Sequence, residues 1–220
     1  HNLQSLRVVD FLEQRYADFD GLNLTFETRE GILKHCTETK ARELGDVGER
    51  FVRRERPSLE AQVTNLADEI AYNNHDIDDG LRSGVLDLDQ LERVTVFATH
   101  KAQVVACYPD LSGRRLIHET VRRMIDTLVT DLVRTSAANI AAVAPSSGAD
   151  VRRAPVLIGF SPEITQAQQE LKTFLRVNLY RDYRVNRVMG KARRVVKRLF
   201  EAFSESPGLL PPDFQKRARV

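Results

Sequence analysis

Tryptophan is missing from the 220 residues, and cysteine is reduced to Cys36 and Cys107. Two thiols without Cys-x-x-Cys spacing or a third partner exclude a zinc knuckle and a disulfide scaffold, and they suit a reducing cytoplasm, the location expected here. Long apolar runs are lacking too. None approaches the roughly 18 residues that cross a bilayer and the N-terminus has no signal-peptide pattern, so no membrane partner is expected. Nor is either charge in large excess, since 33 Lys and Arg against 31 Asp and Glu leave a net +2. Nothing global therefore calls for a nucleic acid or an anionic surface, and any such role must rest on local clustering. There is no Gly-rich phosphate loop, internal repeat or low-complexity tract, and no Ser/His/Asp or Cys/His set at a recognisable spacing.

What is present is an ordinary balance of 42% hydrophobic and 29% charged residues, in a chain long enough for one sizeable core. Nearly every apolar pattern has the 3.6-residue period, which predicts an all-α fold of about seven or eight helices in one domain over residues 1–220, with 205–220 as a tail. At most one short β-hairpin is expected, from a strand at Pro155 to Phe160. Leu3 to Phe19 keep helical phase until Asp20-Gly21, and Thr25 is an N-cap for a second helix that ends near Cys36 or Thr39. His35 has no second ligand nearby and reads as a surface or half-buried histidine. The charged stretch from Lys40 to Pro57 reads as a loop, either a lid or a plain connector.

Asp87 and Gln90 form a capping box ahead of a stripe of Leu88, Leu91, Val94 and Phe97, with a structural His100 at its end. A long helix then runs through Ile117, Val121, Met124, Leu128 and Leu132 to about Ile140, with Arg114, Arg115, Arg122 and Arg123 read as surface arginines. Ser161-Pro162-Glu163 opens another helix. The last helix has an apolar face from Val185 to Phe203 and a basic stripe of Arg184, Arg187, Lys191, Arg194 and Arg198. Asp182 and Glu201 are the only acids between residues 181 and 203, so that stripe is either a solvated face or a ridge for a nucleotide or single-stranded nucleic acid.

The chain is organised around the stretch from Val63 to Gly80. Ser58 after Pro57 caps it, Val63, Leu66, Ala67, Ile70, Ala71 and Ile77 recur at helical steps, and Gly80 is expected to end it. Asp68, Tyr72 and Asp76 stand four apart, which stacks two carboxylates and a phenol in one column beside the apolar stripe. By spacing alone the column either lines a pocket or forms a solvated face with helix-capping acids.

The run Leu66-Ala-Asp-Glu-Ile-Ala-Tyr-Asn-Asn-His-Asp-Ile-Asp-Asp-Gly80 resembles the signature of the dGTPase-like branch of the HD-domain deoxynucleoside triphosphate triphosphohydrolases. Three more runs are similar to the same family, beginning at His1, at Phe19 and at Leu171 and ending at Val8, His35 and Arg181. The resemblance implies a helical phosphohydrolase that converts a deoxynucleoside triphosphate, dGTP or dNTPs, to deoxynucleoside and inorganic triphosphate with Mn²⁺ or Mg²⁺, or another transition metal. By the same resemblance Asp68 is a metal ligand, and Tyr72 and Asp76 face the deoxyribose. His1 corresponds to a histidine that reaches the substrate phosphates, and a homo-oligomer is implied. The family's His and His-Asp ligands have no counterpart here, because His75-Asp76 falls at the sugar-facing position, so those ligands are expected upstream of His1. The chain thus resembles a C-terminal part of such an enzyme. A catalytically inactive nucleotide- or nucleic-acid-binding module and an oligomerisation scaffold are the alternatives.

Overall fold

Helix α5, Leu59–Arg82, is the axis on which the other elements are hung. The computed structural model describes residues 2–34 and 36–218; His1 and His35, both considered above, lie outside the described residues. Twelve α-helices occur among them, and no strand does. In chain order they are α1 (Asn2–Arg7), α2 (Phe26–Ile32), α3 (Glu38–Ala41), α4 (Asp46–Arg53) and α5, then α6 (Leu88–Leu91), α7 (Thr95–Cys107) and α8 (Gly113–Val143). After these come α9 (Gly148–Arg153), α10 (Pro162–Leu175), α11 (Tyr183–Glu205) and α12 (Pro212–Ala218). The all-α expectation holds, with more and shorter helices than the apolar periodicity predicts.

The cores follow from α5. Ile77 joins Leu86, Leu91, Phe97, Met124, Leu171 and Leu175 in the largest apolar cluster, while Ile70, two turns earlier on the same face, joins Leu128, Leu132 and Ile158. A third cluster of Leu6, Leu33 and Val47 holds the N-terminal helices. Ser58 caps α5 as expected, its Oγ accepting from Ala61 N. The end differs from expectation. Gly80 lies inside the helix, where an added Cβ would come within 2.5 Å of Leu86, and the chain leaves through Gly84 at φ +68°.

Four further expectations are corrected. The first helix stops short of Phe19, because a π-helical turn at Val8–Leu12 frees carbonyls to which the chain returns, with Gly21 N donating to Glu13 O and Leu22 N to Val9 O. Lys40 to Pro57 is not a loop: α3, a 3₁₀ turn and α4 occupy most of it, and Ala41 and Val47 are buried. The stripe from Leu88 to Phe97 is two helices rather than one. It breaks where Glu170 of α10 accepts hydrogen bonds from Thr95 N and Oγ1, capping α7 from outside.

The strand at Pro155 to Phe160 does not form either. With no strand among the described residues to pair with, part of its backbone is taken up by α8 side chains: Asn139 Nδ2 donates to Leu157 O at 3.2 Å and Gly159 N donates to Ser136 Oγ at 3.1 Å, while just beyond it Ser161 N donates to Asp131 Oδ2 at 2.9 Å. Leu157 and Ile158 are still buried, so the apolar run packs without becoming a strand. His100 is structural as expected, buried between Val96 O at 2.7 Å and Thr127 Oγ1 at 2.8 Å. Arg122 and Arg123 both donate to Glu119, which fits the surface reading of these arginines.

Candidate functional site

Only part of the apolar set on α5 faces inward. Ile70 and Ile77 are buried together with Asn73 and Asn74, whereas Val63 is 43% exposed. Asn73 Nδ2 donates to buried Gln168 Oε1 at 3.2 Å, a polar cross-link that fixes the rotation of α5 against α10. The Asp68, Tyr72 and Asp76 column therefore lies off the core, partly in solvent, with its ends about 12 Å apart along the axis at 1.5 Å per residue.

The two carboxylates have different surroundings. Asp68 has a side chain 65% exposed, and Lys34, at the end of α2, reaches its Oδ2 at 3.0 Å. Asp76 is half-buried in a cavity of about 710 Å³ whose lining includes Tyr72, Val85, Leu179, Tyr180 and Met189. There the Tyr180 hydroxyl donates to Asp76 Oδ2. Burial pushes the Asp76 carboxyl above its ordinary value, against the opposing pull of the Tyr180 hydrogen bond, and the Tyr180 phenol is pushed well up by burial and by Asp76. Tyr72 stands between the two acids with 60% of its surface free. The result is an aromatic-walled cavity with one hydrogen-bonding carboxylate, next to an open carboxylate and an ammonium group.

Tyr180 has no assigned role in the reading of the sequence, although it falls within the Leu171–Arg181 run. It reaches Asp76 because α10 ends in a π-helical turn, Arg176–Tyr180, in which Asn178 Nδ2 bonds back to Phe174 O. The phenol directly after buried Leu171, Leu175 and Leu179 is the signal that marks it.

A metal does not fit these residues by themselves. Among the described residues no three His, Cys, Asp or Glu side chains come together as a metal site. Asp68 offers one carboxylate whose nearest polar partner is a cation, enough for one ligand of a set and no more. The basic stripe of α11 also loses a member, since Arg184 is tied to Asp182 and to the carbonyls of Gly84 and Val85. Arg187, Lys191 and Arg194 remain beside a groove of about 570 Å³.

Residues 158–220 match the phosphohydrolase-associated domain family. Over 216 residues the chain is 62% identical to a deoxyguanosinetriphosphate triphosphohydrolase-like protein of Bordetella pertussis, covering 98% of this chain and 56% of that protein. Proteins of the same description from Ralstonia pickettii and Thiobacillus denitrificans are each 57% identical over 99% of this chain, which covers 56% and 58% of them. The chain spans little more than half the length of the curated relatives it matches. With identity of this order sustained along almost its whole length, the chain belongs to the family of deoxyguanosinetriphosphate triphosphohydrolase-like phosphohydrolases.

Proposed function

We propose that this protein hydrolyses a deoxynucleoside triphosphate, dGTP or dNTPs, to a deoxynucleoside and inorganic triphosphate, with α5 carrying the sugar and phosphate ends of the site. One observation carries the reading: the half-buried Asp76, held by Tyr180 in a cavity walled by Tyr72, shares its helix face with the open Asp68. A deoxyribose needs such surroundings, an aromatic ring against its 2′ carbon and a fixed acceptor for its 3′-hydroxyl. Tyr180, by donating to Asp76 Oδ2, holds the carboxylate so that the remaining lone pairs accept the 3′-hydroxyl. The Lys34 ammonium beside Asp68 adds positive charge on the side where phosphates lie.

The comparisons support a phosphohydrolase, and the substrate named here rests on the relatives' description together with this cavity. A divalent metal, Mn²⁺ or Mg²⁺, would take Asp68 as one ligand in a set shared with residues of the relatives' length that this chain does not span, neutralising phosphate charge and lowering the pKa of a bound water. Tyr72, 60% exposed on α5, leaves an apolar surface on which such a part would pack.

Two outcomes test this. In the active protein, Tyr72→Ala should lower the preference for deoxy- over ribonucleoside triphosphate by up to about 10²-fold, the scale on which a hydrophobic pocket rejects an added hydroxyl. An unchanged kcat/KM ratio for the two sugars overturns the role of the ring. Residues 1–220 alone should show no saturable Mn²⁺ site in isothermal titration, because one carboxylate does not fix coordination geometry. A tight single site in that titration means that the metal is held elsewhere.

A further inference from the structure

The cavity that holds Asp76 extends past it, toward the C-terminal end of α5, where its lining takes in Asp79, Arg82 and Ser83 and then Val85, Leu179, Val185 and Met189. Arg82 lies six residues beyond Asp76, about 9 Å along the axis, in the direction away from Asp68. With phosphates toward Asp68 and the 3′-hydroxyl at Asp76, this far part is left to the remaining piece of a nucleotide. That piece is the base, which deoxyribose carries across the ring oxygen from the carbon that leads to the phosphates. A cavity of about 710 Å³ has room for both.

The polar side chains of that part are engaged with their own helix. Arg82 Nη2 donates to Asp79 Oδ1 at 2.6 Å, and Ser83 Oγ donates to the Gly80 carbonyl at 3.1 Å. What faces a ligand is apolar: Leu179 is buried, Val85 and Val185 are half-buried, and Met189 is 60% exposed. Val185 and Met189 stand one turn apart on one face of α11. Arg184 seats that turn, its Nη1 and Nη2 donating to the carbonyls of Gly84 at 2.9 Å and Val85 at 3.4 Å. An unbranched, polarisable methionine adapts to partners of different outline. A wall of this kind grips a ring by its face and leaves the hydrogen-bonding edge unread.

Given the sugar at Asp76 as proposed above, we infer that Val85, Leu179, Val185 and Met189 form the subsite for the nucleobase, and that they select it by the area of its ring rather than by the donors and acceptors on its edge. Purines are then favoured over pyrimidines, and guanine and adenine are served alike.

Steady-state kinetics of the active protein with dGTP, dATP, dCTP and dTTP test this. The kcat/KM values for dGTP and dATP should agree within about 10-fold and both exceed those for dCTP and dTTP, whereas a hydrogen-bonded edge separates substrates by roughly 10⁴–10⁵. Met189→Ala should raise KM for all four by about 10-fold, the scale of one lost methionine burial. It should leave kcat within about twofold, because the base packs equally in ground and transition states. For 2-deoxyribose 5-triphosphate, which has no base, the same substitution should change nothing. Helix content should hold, since Met189 belongs to none of the three apolar cores. An equal loss for the compound without a base, an unchanged KM for the four nucleotides, or a preference above about 10³-fold for one purine over the other overturns the inference. If no deoxynucleoside triphosphate is hydrolysed, the proposed function falls, and saturation-transfer NMR of residues 1–220 with deoxyadenosine and thymidine decides the subsite by itself. Transfer to the base protons that Met189→Ala removes upholds it; no transfer, or transfer indifferent to Met189, overturns it.

Discussion

Asp68→Ala, made in the active protein, should reduce deoxynucleoside triphosphate hydrolysis by more than the roughly 10–100-fold that follows loss of an outer-shell partner of a metal site. It should leave the fold as it is. The Asp68 side chain is 65% exposed and its ion pair with Lys34 is of the surface kind, worth about 0–1 kcal/mol, so thermal unfolding should hardly move. The weakness of that pair is also what makes Asp68 available, because a cation or substrate reaching the exposed carboxylate displaces the lysine at little cost. The variant is to be read by turnover, bound metal and unfolding temperature together. Normal turnover with normal metal content overturns the proposed role of Asp68.

Glu30→Ala should destabilise the chain by about 3–5 kcal/mol, the cost of leaving a buried charge without its partner. Glu30 is 1% exposed on α2 and takes Arg152 of α9 in a two-pronged contact at 2.6 and 3.0 Å. Arg50 of α4, itself buried, brings Nε within 3.3 Å of Glu30 Oε1, near enough for an ion pair but off the angle of a hydrogen bond. Burial pulls the pKa of Arg50 down while the Glu30 charge pulls it up, so the guanidinium depends on that carboxylate to stay charged at low cost. Arg50 also lies over the Phe51 ring at 3.9 Å, and Arg152 O accepts from Arg56 N. One carboxylate thus ties α2, α4 and α9 across 122 residues of sequence. The melting temperature should fall by roughly 10 °C, given about 2–4 °C per kcal/mol for a chain of this size. A change below about 1 kcal/mol would mean that the two arginines find other partners or water.

Much of this architecture is legible in sequence where the signal is local. Ser58, Thr25, the Asp87–Gln90 box and Ser161-Pro162 each cap a helix, because a cap is a contact between residues two or three apart. What escapes is set by distant residues. The break between α6 and α7 depends on Glu170, the rotation of α5 on Gln168, and the position of Tyr180 on a π-helical turn 104 residues after Asp76. The helices between Lys40 and Pro57 are hidden for another reason: their inward residues include Arg50, whose partner is remote, so the segment reads as a charged connector. Of the candidate site, the column on α5 is visible as spacing. Its division into an open carboxylate and a half-buried one is a tertiary result.

The stretch from Pro155 to Phe160 bears on how such a chain meets its neighbours. An extended, apolar segment ordinarily carries a row of amides and carbonyls on which a foreign strand grows, the route to edge-to-edge aggregation. Here Ser136 and Asn139 of α8 occupy groups of that row, Asp131 takes the amide of Ser161 just past it, and Leu157 and Ile158 are withdrawn into the interior. A polar ladder borrowed from a helix replaces the missing sheet and shields the stretch from templating β-structure. Substituting Ser136 or Asn139 would therefore weaken a guard against misassembly as well as a fold contact.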